Sequence, residues 1–278
     1  MGYHAGRYWG GCYMSQQSVT NRDIIRRDFL SHRRVQQLIV WGSLLLLWEI
    51  AGRSVGDFFL APFSATVVAF IDLYTSGVIL EPLFSSLQQL VVGFLLALGV
   101  SLPLGMAIGR SEIIKKSFEP YISFMFVTSV SSMLPLLIII FGTRLQFRTA
   151  VVFLFCVFHM LLTFQAGVED IDRELIQTGH AYEAGGTAMF RHVIFPASLP
   201  MIITGVRLGI GRAFKGMVLA ELWILAGVGE LLNAYQLYQQ IDYLLAVILT
   251  LMILAIFSVK SLYWLEETVA PWRGAIEE

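Results

Sequence analysis

The sequence predicts an all-α integral membrane protein of about six transmembrane helices, and three observations carry that prediction. The 278 residues are 56% hydrophobic and only 14% charged, whereas a soluble domain carries about 25% charged residues. The mean hydropathy is +0.71. The apolar residues gather into segments near the ~20 residues that a helix needs to cross about 30 Å of hydrocarbon. Those segments are 35–51, 87–108, 121–141, 149–168, 201–225 and 244–262. The polar remainder is too short and scattered to fold as a separate soluble domain. The expected organisation is therefore a cytoplasmic N-terminal segment at 1–34, one membrane domain at 35–265 and a cytoplasmic tail at 266–278.

The first 31 residues hold Arg7, Arg22, Arg26 and Arg27 but no apolar run, so no cleavable signal peptide is expected. Gly10-Gly11-Cys12 lacks the preceding hydrophobic stretch of a lipid-attachment box. Met1 and Met14 both stand as candidate starts. Lys and Arg near span ends set orientation. Arg22, Arg26, Arg27, Arg33 and Arg34, then Arg110, Lys115 and Lys116, then Arg173 and Arg191 fall on one side. Arg53, Arg144 and Arg148 fall on the other. The balance places both termini, and the loop 170–200, in the cytoplasm.

Between the first two spans, 58–83 is too broken by polar residues to cross a membrane. Within it, Val67, Val68, Phe70, Ile71 and Tyr74 share roughly one helical face, with Ser64 as the expected N-cap. This reads as a helix lying on the outer surface.

The second span carries small residues at every fourth position: Gly93, Ala97, Ser101, Gly105 and Gly109. Such a stripe lets helix backbones approach closely in lipid, either within the chain or at a subunit interface. Pro103 removes one backbone donor within it, so a kink is expected. The third span holds Thr128, Ser129, Ser131 and Ser132 ahead of Pro135. Their hydroxyls either line a polar pathway or bond back to carbonyls one turn earlier. His159, in the fourth span, has no second ligand at helical spacing and reads as a packed or hydrogen-bonded side chain. The fifth span is the most charged, with Arg207, Arg212, Lys215 and Glu221. Charges within a span face the protein interior or a water-filled cavity. Ser129, Ser132, Arg212, Lys215 and Glu221 are therefore the candidate lining of a translocation route, against the alternative of fixed ion pairs between helices.

Several chemistries are excluded. No G-x-x-x-x-G-K-[ST] phosphate cradle, H-E-x-x-H zinc motif or G-x-S-x-G elbow occurs. Gly209 and Gly211 lie in an apolar helix with no strand before them, which removes a dinucleotide fold. Cys12 and Cys156 are the only cysteines and sit in unrelated contexts, too few for a disulfide framework or a metal cluster. A net charge of −1 gives no reason to expect nucleic acid as a partner. No catalytic residue and no metal ligand is assigned, and the energy for any work must come from another chain.

The most informative stretch is the loop 170–200, DIDRELIQTGHAYEAGGTAMFRHVIFPASLP. Its charge bars it from hydrocarbon, because a charged residue at the bilayer centre costs roughly 2.5–3.5 kcal/mol on insertion scales. It also holds apolar anchors, Leu175, Ile176, Tyr182 and Met189, among polar neighbours, as a helix-in-groove contact requires. The loop resembles the EAA loop of binding-protein-dependent ABC importer permeases, whose pattern runs E-A-A, three residues, G, nine residues, I-x-L-P. Anchored on Pro196, it falls here as Gln177-Thr178-Gly179, then Glu183, then Val193, Phe195 and Pro196. Gln177 replaces the acidic residue of the pattern, and Glu183 stands where its glycine belongs. Gly185 and Gly186 follow slightly later.

The resemblance extends beyond the loop. Leu47-Trp48-Glu49, Val92-Gly93-Phe94, Leu134-Pro135-Leu136 before Phe141-Gly142, Ala166-Gly167-Val168 and the run from Gly205 to Ala213 leading to Ala220-Glu221 are similar to the nitrate, sulfonate, taurine and bicarbonate branch. Thr128 to Ser132 and Lys215 depart from it. The resemblance implies a type I ABC importer permease in a bacterial inner membrane. It further implies two permeases, identical or different, enclosing the route among membrane lipid, an extracytoplasmic solute-binding protein and separate ATPase subunits that hold ATP and Mg. It would place ATPase coupling on Leu175, Gln177, Thr178, Gly179, Tyr182, Glu183, Gly185, Gly186 and Pro196. The solute would be a small organic or inorganic anion or a vitamin precursor. The alternative is a stand-alone secondary transporter or channel using the fifth-span charges; no inverted repeat between the halves supports it. A membrane scaffold without transport is a third reading.

Overall fold

The computed structural model describes residues 17–56, 59–182 and 185–269, all of whose regular structure is helical. The chain divides into two compact units, Met1–Ser64 and Ala65–Glu278. The first holds α1, Gln17–Val55, which starts well upstream of the predicted span. Its Val35–Val55 part is long and apolar enough to cross a membrane. At its far end the Trp48 indole donates to the Ala61 carbonyl at 3.1 Å, and Glu49 accepts from the Ser64 amide at 3.0 Å and the Ser64 hydroxyl at 2.9 Å. Ser64 is thus not the helix cap that its position suggested: the next helix, α2, Phe63–Thr75, already includes it.

The second unit contains the rest of α2 and the helices α3 (Leu80–Arg110), α4 (Glu112–Val127), α5 (Val130–Phe141), α6 (Leu145–Glu169), α7 (Arg173–Ala181), α8 (Gly186–Met189), α9 (Phe195–Ile224), α10 (Gly227–Leu237) and α11 (Ile241–Val269). In α2 the buried side is Thr66, Ala69 and Leu73, while Val68 and Ile71 are exposed. The apolar face expected from sequence is therefore partly turned outward, and Ala69 and Leu73 instead join one apolar cluster with Val228, Leu232, Ala246 and Val247. The helix α10, between the fifth and sixth spans, was not anticipated.

The centre of the unit is α3, α6 and α9. The small-residue stripe on α3 lies against α6 of the same chain. A Cβ at Gly105 would fall 2.9 Å from the Leu161 carbonyl oxygen and from the Phe164 Cβ, and one at Gly109 would fall 2.7 Å from the Gln165 carbonyl oxygen. The other face of α6 meets α9 in the same way, with Gly205 against Phe164, Gly209 against Met160 and Gly216 against Phe155. In lipid, where apolar burial drives little association, this close backbone approach supplies the packing that holds helices together.

Among the described residues five helical segments are long and apolar enough to span a membrane, and α4 with α5 makes a sixth if the pair is one span. The third span expected at 121–141 is not a single rod. The two helices meet at 94°. Thr128 and Ser129 between them are extended, with ψ of 126° and 117°. Pro135 has no N–H to offer the carbonyl of Ser131, so a continuous helix across 128–132 loses a bond where four hydroxyl side chains already compete for backbone groups.

A π-helical turn, Phe190–Ile194, joins α8 to α9. Its cause is Pro196, which cannot donate to the His192 carbonyl. The register widens, and the Phe195 amide bonds instead to the Phe190 carbonyl, five residues back.

Candidate functional site

Two regions gather the residues singled out from sequence. The first is a groove on the 170–200 loop. Leu175, Thr178, Gly179 and Tyr182 occupy positions i, i+3, i+4 and i+7 and so share one face of α7. All four line a groove of about 480 Å³, whose opposite wall is built from Ala188, His192, Val193, Pro196 and Ala197. Leu175 is 50% exposed and Tyr182 83% exposed, although both are large and apolar or aromatic. Behind them, Ile176 and Met189 pack into the main core.

Gly179 sets the depth of this groove. A Cβ there would lie 2.8 Å from the Met189 Sδ and Cε. The α8 start is held by the Met189 amide donating to the Gly185 carbonyl at 2.8 Å. Arg110, at the end of α3, donates to the Gly186 carbonyl at 3.5 Å. Gln177 is exposed but not part of the groove, since it lies about 200° around the helix from Leu175. Glu183 lies outside the described residues. Beside the loop, Lys115 pairs with Glu169 at 3.0 Å, and Gln165 donates to the same carboxylate oxygen at 2.9 Å.

The second region is a polar cavity of about 350 Å³ at the α4–α5 break. Thr128, Ser129 and Ser131 line it together with His159 from α6 and Arg212 from α9. Thr128 donates back to the Phe124 carbonyl at 2.8 Å, and the Ser129 side chain does not cap α5. Ser132 and Lys215 are exposed and lie outside the cavity lining. His159, read from sequence as a packed or hydrogen-bonded side chain, is part of this wall and hydrogen-bonds to the Phe155 backbone.

Glu221 sits elsewhere. Arg212 and Glu221 are nine residues apart, which is 180° around α9, so they face opposite sides. Glu221 has no exposed surface. Its carboxylate accepts from the Gly229 amide at 3.1 Å and from the Gln89 side-chain amide, and Arg148 approaches it at 4.0 Å. Ser86 accepts from the Val228 amide at 3.0 Å, and Arg148 donates to Ser85 at 3.1 Å. Burying a carboxylate is costly unless donors satisfy it, and here α3, α6 and α10 each supply some. This interlock ties the end of α9 to its neighbours, so Glu221 is enclosed by protein and does not share the cavity with Arg212. No group of three or more His, Cys, Asp or Glu side chains among the described residues could hold a metal ion.

Comparison with known proteins gives a consistent answer. Residues 99–271 match the family described as binding-protein-dependent transport system inner membrane component. A probable ABC transporter permease of Brucella abortus is 28% identical over 204 residues, covering 73% of this chain and 82% of that protein. A putative aliphatic sulfonates transport permease of Bacillus subtilis is 26% identical over 263 residues, covering 93% and 95% respectively. The taurine transport system permease of Escherichia coli is 24% identical over 241 residues, covering 84% and 88%.

Proposed function

The chain belongs to the inner-membrane component family of binding-protein-dependent transport systems, and from that premise we propose that its 170–200 loop seats a separate ATPase that drives solute import. It is a multi-pass inner-membrane transport component rather than an enzyme, as its relatives are. In this reading both termini and the loop face the cytoplasm, ATP and Mg belong to the ATPase, and a second permease, identical or not, completes the route. An extracytoplasmic binding protein delivers the solute.

The groove on α7 carries the proposal. Leu175 and Tyr182 stand exposed beside it on a loop that cannot lie in hydrocarbon. An exposed leucine and tyrosine that line one groove together form an apolar patch of the kind a partner helix or cleft buries. Gln177, Thr178, Gly179, Glu183, Gly185, Gly186 and Pro196 complete the coupling segment. The solute is proposed to be a small organic or inorganic anion of the sulfonate, nitrate or bicarbonate kind, or a vitamin precursor. The similarity to an aliphatic sulfonates permease and a taurine permease supports the anion. Ser129, Ser132, Arg212 and Lys215 are proposed as route residues. The family match supports this reading over a stand-alone transporter.

Affinity purification of the tagged chain from its native membrane tests the proposal. An ATPase subunit should co-elute, and the reconstituted complex should accumulate solute only with ATP. Solute uptake that continues without any ATPase would defeat it.

A further inference from the structure

Resting on the permease reading, we infer that the cavity at the α4–α5 break is an anion way station, so that this chain itself selects solutes by charge within the membrane domain. The cavity's volume of about 350 Å³ is far above the ~10–15 Å³ that a single water requires, and suits a small oxyanion with part of its hydration. Its charged lining is Arg212, and no lining residue is acidic. Among the described residues Arg212 makes no ion pair. The acidic residue on its own helix, Glu221, is turned to the opposite side and enclosed there. The positive charge therefore acts on whatever occupies the cavity.

The other wall groups suit the same ligand. A guanidinium presents a planar fork that matches the oxygens of a carboxylate-like or sulfonate-like group. The His159 ring is hydrogen-bonded to the Phe155 backbone of its own helix, so the rotatable donors of the wall are the Ser129 and Ser131 hydroxyls. The first turn of α5, at Val130 and Ser131, is on the wall as well. Lys215 lies outside the lining but only about 60° around α9 from Arg212, which adds to the positive potential. Phe155 and Phe158 form an apolar side that accepts the carbon skeleton of an organic anion. Donors that rotate and a site open to hydration give weak attraction, and a passage site must release what it attracts.

The test uses Ser131→Cys in the assembled complex in lipid nanodiscs. The probes are two thiol reagents of similar size, the anionic 2-sulfonatoethyl and the cationic trimethylammonioethyl methanethiosulfonate. Labelling is followed by the mass of the peptide that carries residue 131, and rates are normalised to those of free cysteine. The anionic reagent should be favoured by about tenfold or more, as expected for one nearby cation at intermediate dielectric. Arg212→Gln should bring the ratio close to that of free cysteine, and Arg212→Lys should retain most of it. Methanesulfonate should slow labelling and choline should not. If Arg212→Gln fails to assemble, this protection measurement in the Ser131→Cys chain decides alone. An unchanged ratio in an assembled Arg212→Gln complex, or equal protection by choline, overturns the inference. Absence of a co-purifying ATPase would overturn the permease reading instead, so the two failures are told apart.

Discussion

The amide of Gly229 donates to the carboxylate of Glu221 at 3.1 Å, across the turn that ends α9 and starts α10. A Cβ on Gly229 would lie 2.5 Å from both the Glu221 Cβ and its carbonyl carbon. Part of that obstacle is backbone, which cannot swing aside. Gly229→Ala should destabilise the protein by about 1–3 kcal/mol, the usual range for overpacking, and thermal unfolding in detergent should show it. Gly99→Ala is the matched control. Nothing lies within 4 Å of a Cβ there, and helix propensity favours alanine by up to about 1 kcal/mol. A Gly229→Ala protein as stable as the Gly99→Ala protein would refute this packing.

The α3–α6 contact makes a second prediction. At Gly109 a Cβ would meet the Gln165 carbonyl oxygen and the Val168 Cβ, both at 2.7 Å. Gly109→Val should separate the helices and lower the yield of monodisperse protein. Gly211→Val, at an open position on α9, should cost no more than the roughly 0.5 kcal/mol typical of a surface change. Equal yields from the two variants would contradict the assignment of the stripe to intramolecular packing.

Gly179 behaves differently, because the atoms in the way are the end of the Met189 side chain. A flexible thioether adapts where backbone does not. Gly179→Ala should therefore retain the assembled complex, whereas Gly179→Leu should fill the groove and release the ATPase. Co-purification yield distinguishes the cases, and loss of assembly in Gly179→Ala would mean that Met189 is fixed.

Gln177 stands off the groove, on the far side of α7. Gln177→Glu should keep the groove intact and leave docking unchanged or stronger. The check is the ATPase fraction retained through a salt wash. Loss of assembly would show that the partner surface is matched to the neutral side chain.

Much of this architecture was legible in the sequence, because long apolar runs and small residues spaced by four are direct consequences of the bilayer and of helix geometry. The amphipathic face of α7 was legible for the same reason, since Leu175 and Tyr182 are one helical repeat of seven apart. The break in the third span was not. Two extended residues at 128–129 barely change the hydropathy of a long window, although the run of hydroxyls before Pro135 marked the place. The grouping of His159 with Arg212 depends on which faces of α6 and α9 meet, which no spacing within either helix specifies. For Glu221 half the answer was available: its opposition to Arg212 follows from helix geometry, while Gln89, 132 positions earlier in the chain, does not.

The coupling claim rests most directly on Tyr182, the more exposed of the two large side chains at the groove. The decisive measurement is solute-stimulated ATP hydrolysis by the reconstituted complex carrying Tyr182→Ala, with co-purification of the ATPase followed in parallel. Truncating an aromatic that serves as an interface hot spot costs about 2 kcal/mol or more. The expected result is therefore loss of the ATPase from the complex, or a bound ATPase that no longer responds to solute. A complex of full stoichiometry with unchanged stimulated hydrolysis would contradict it.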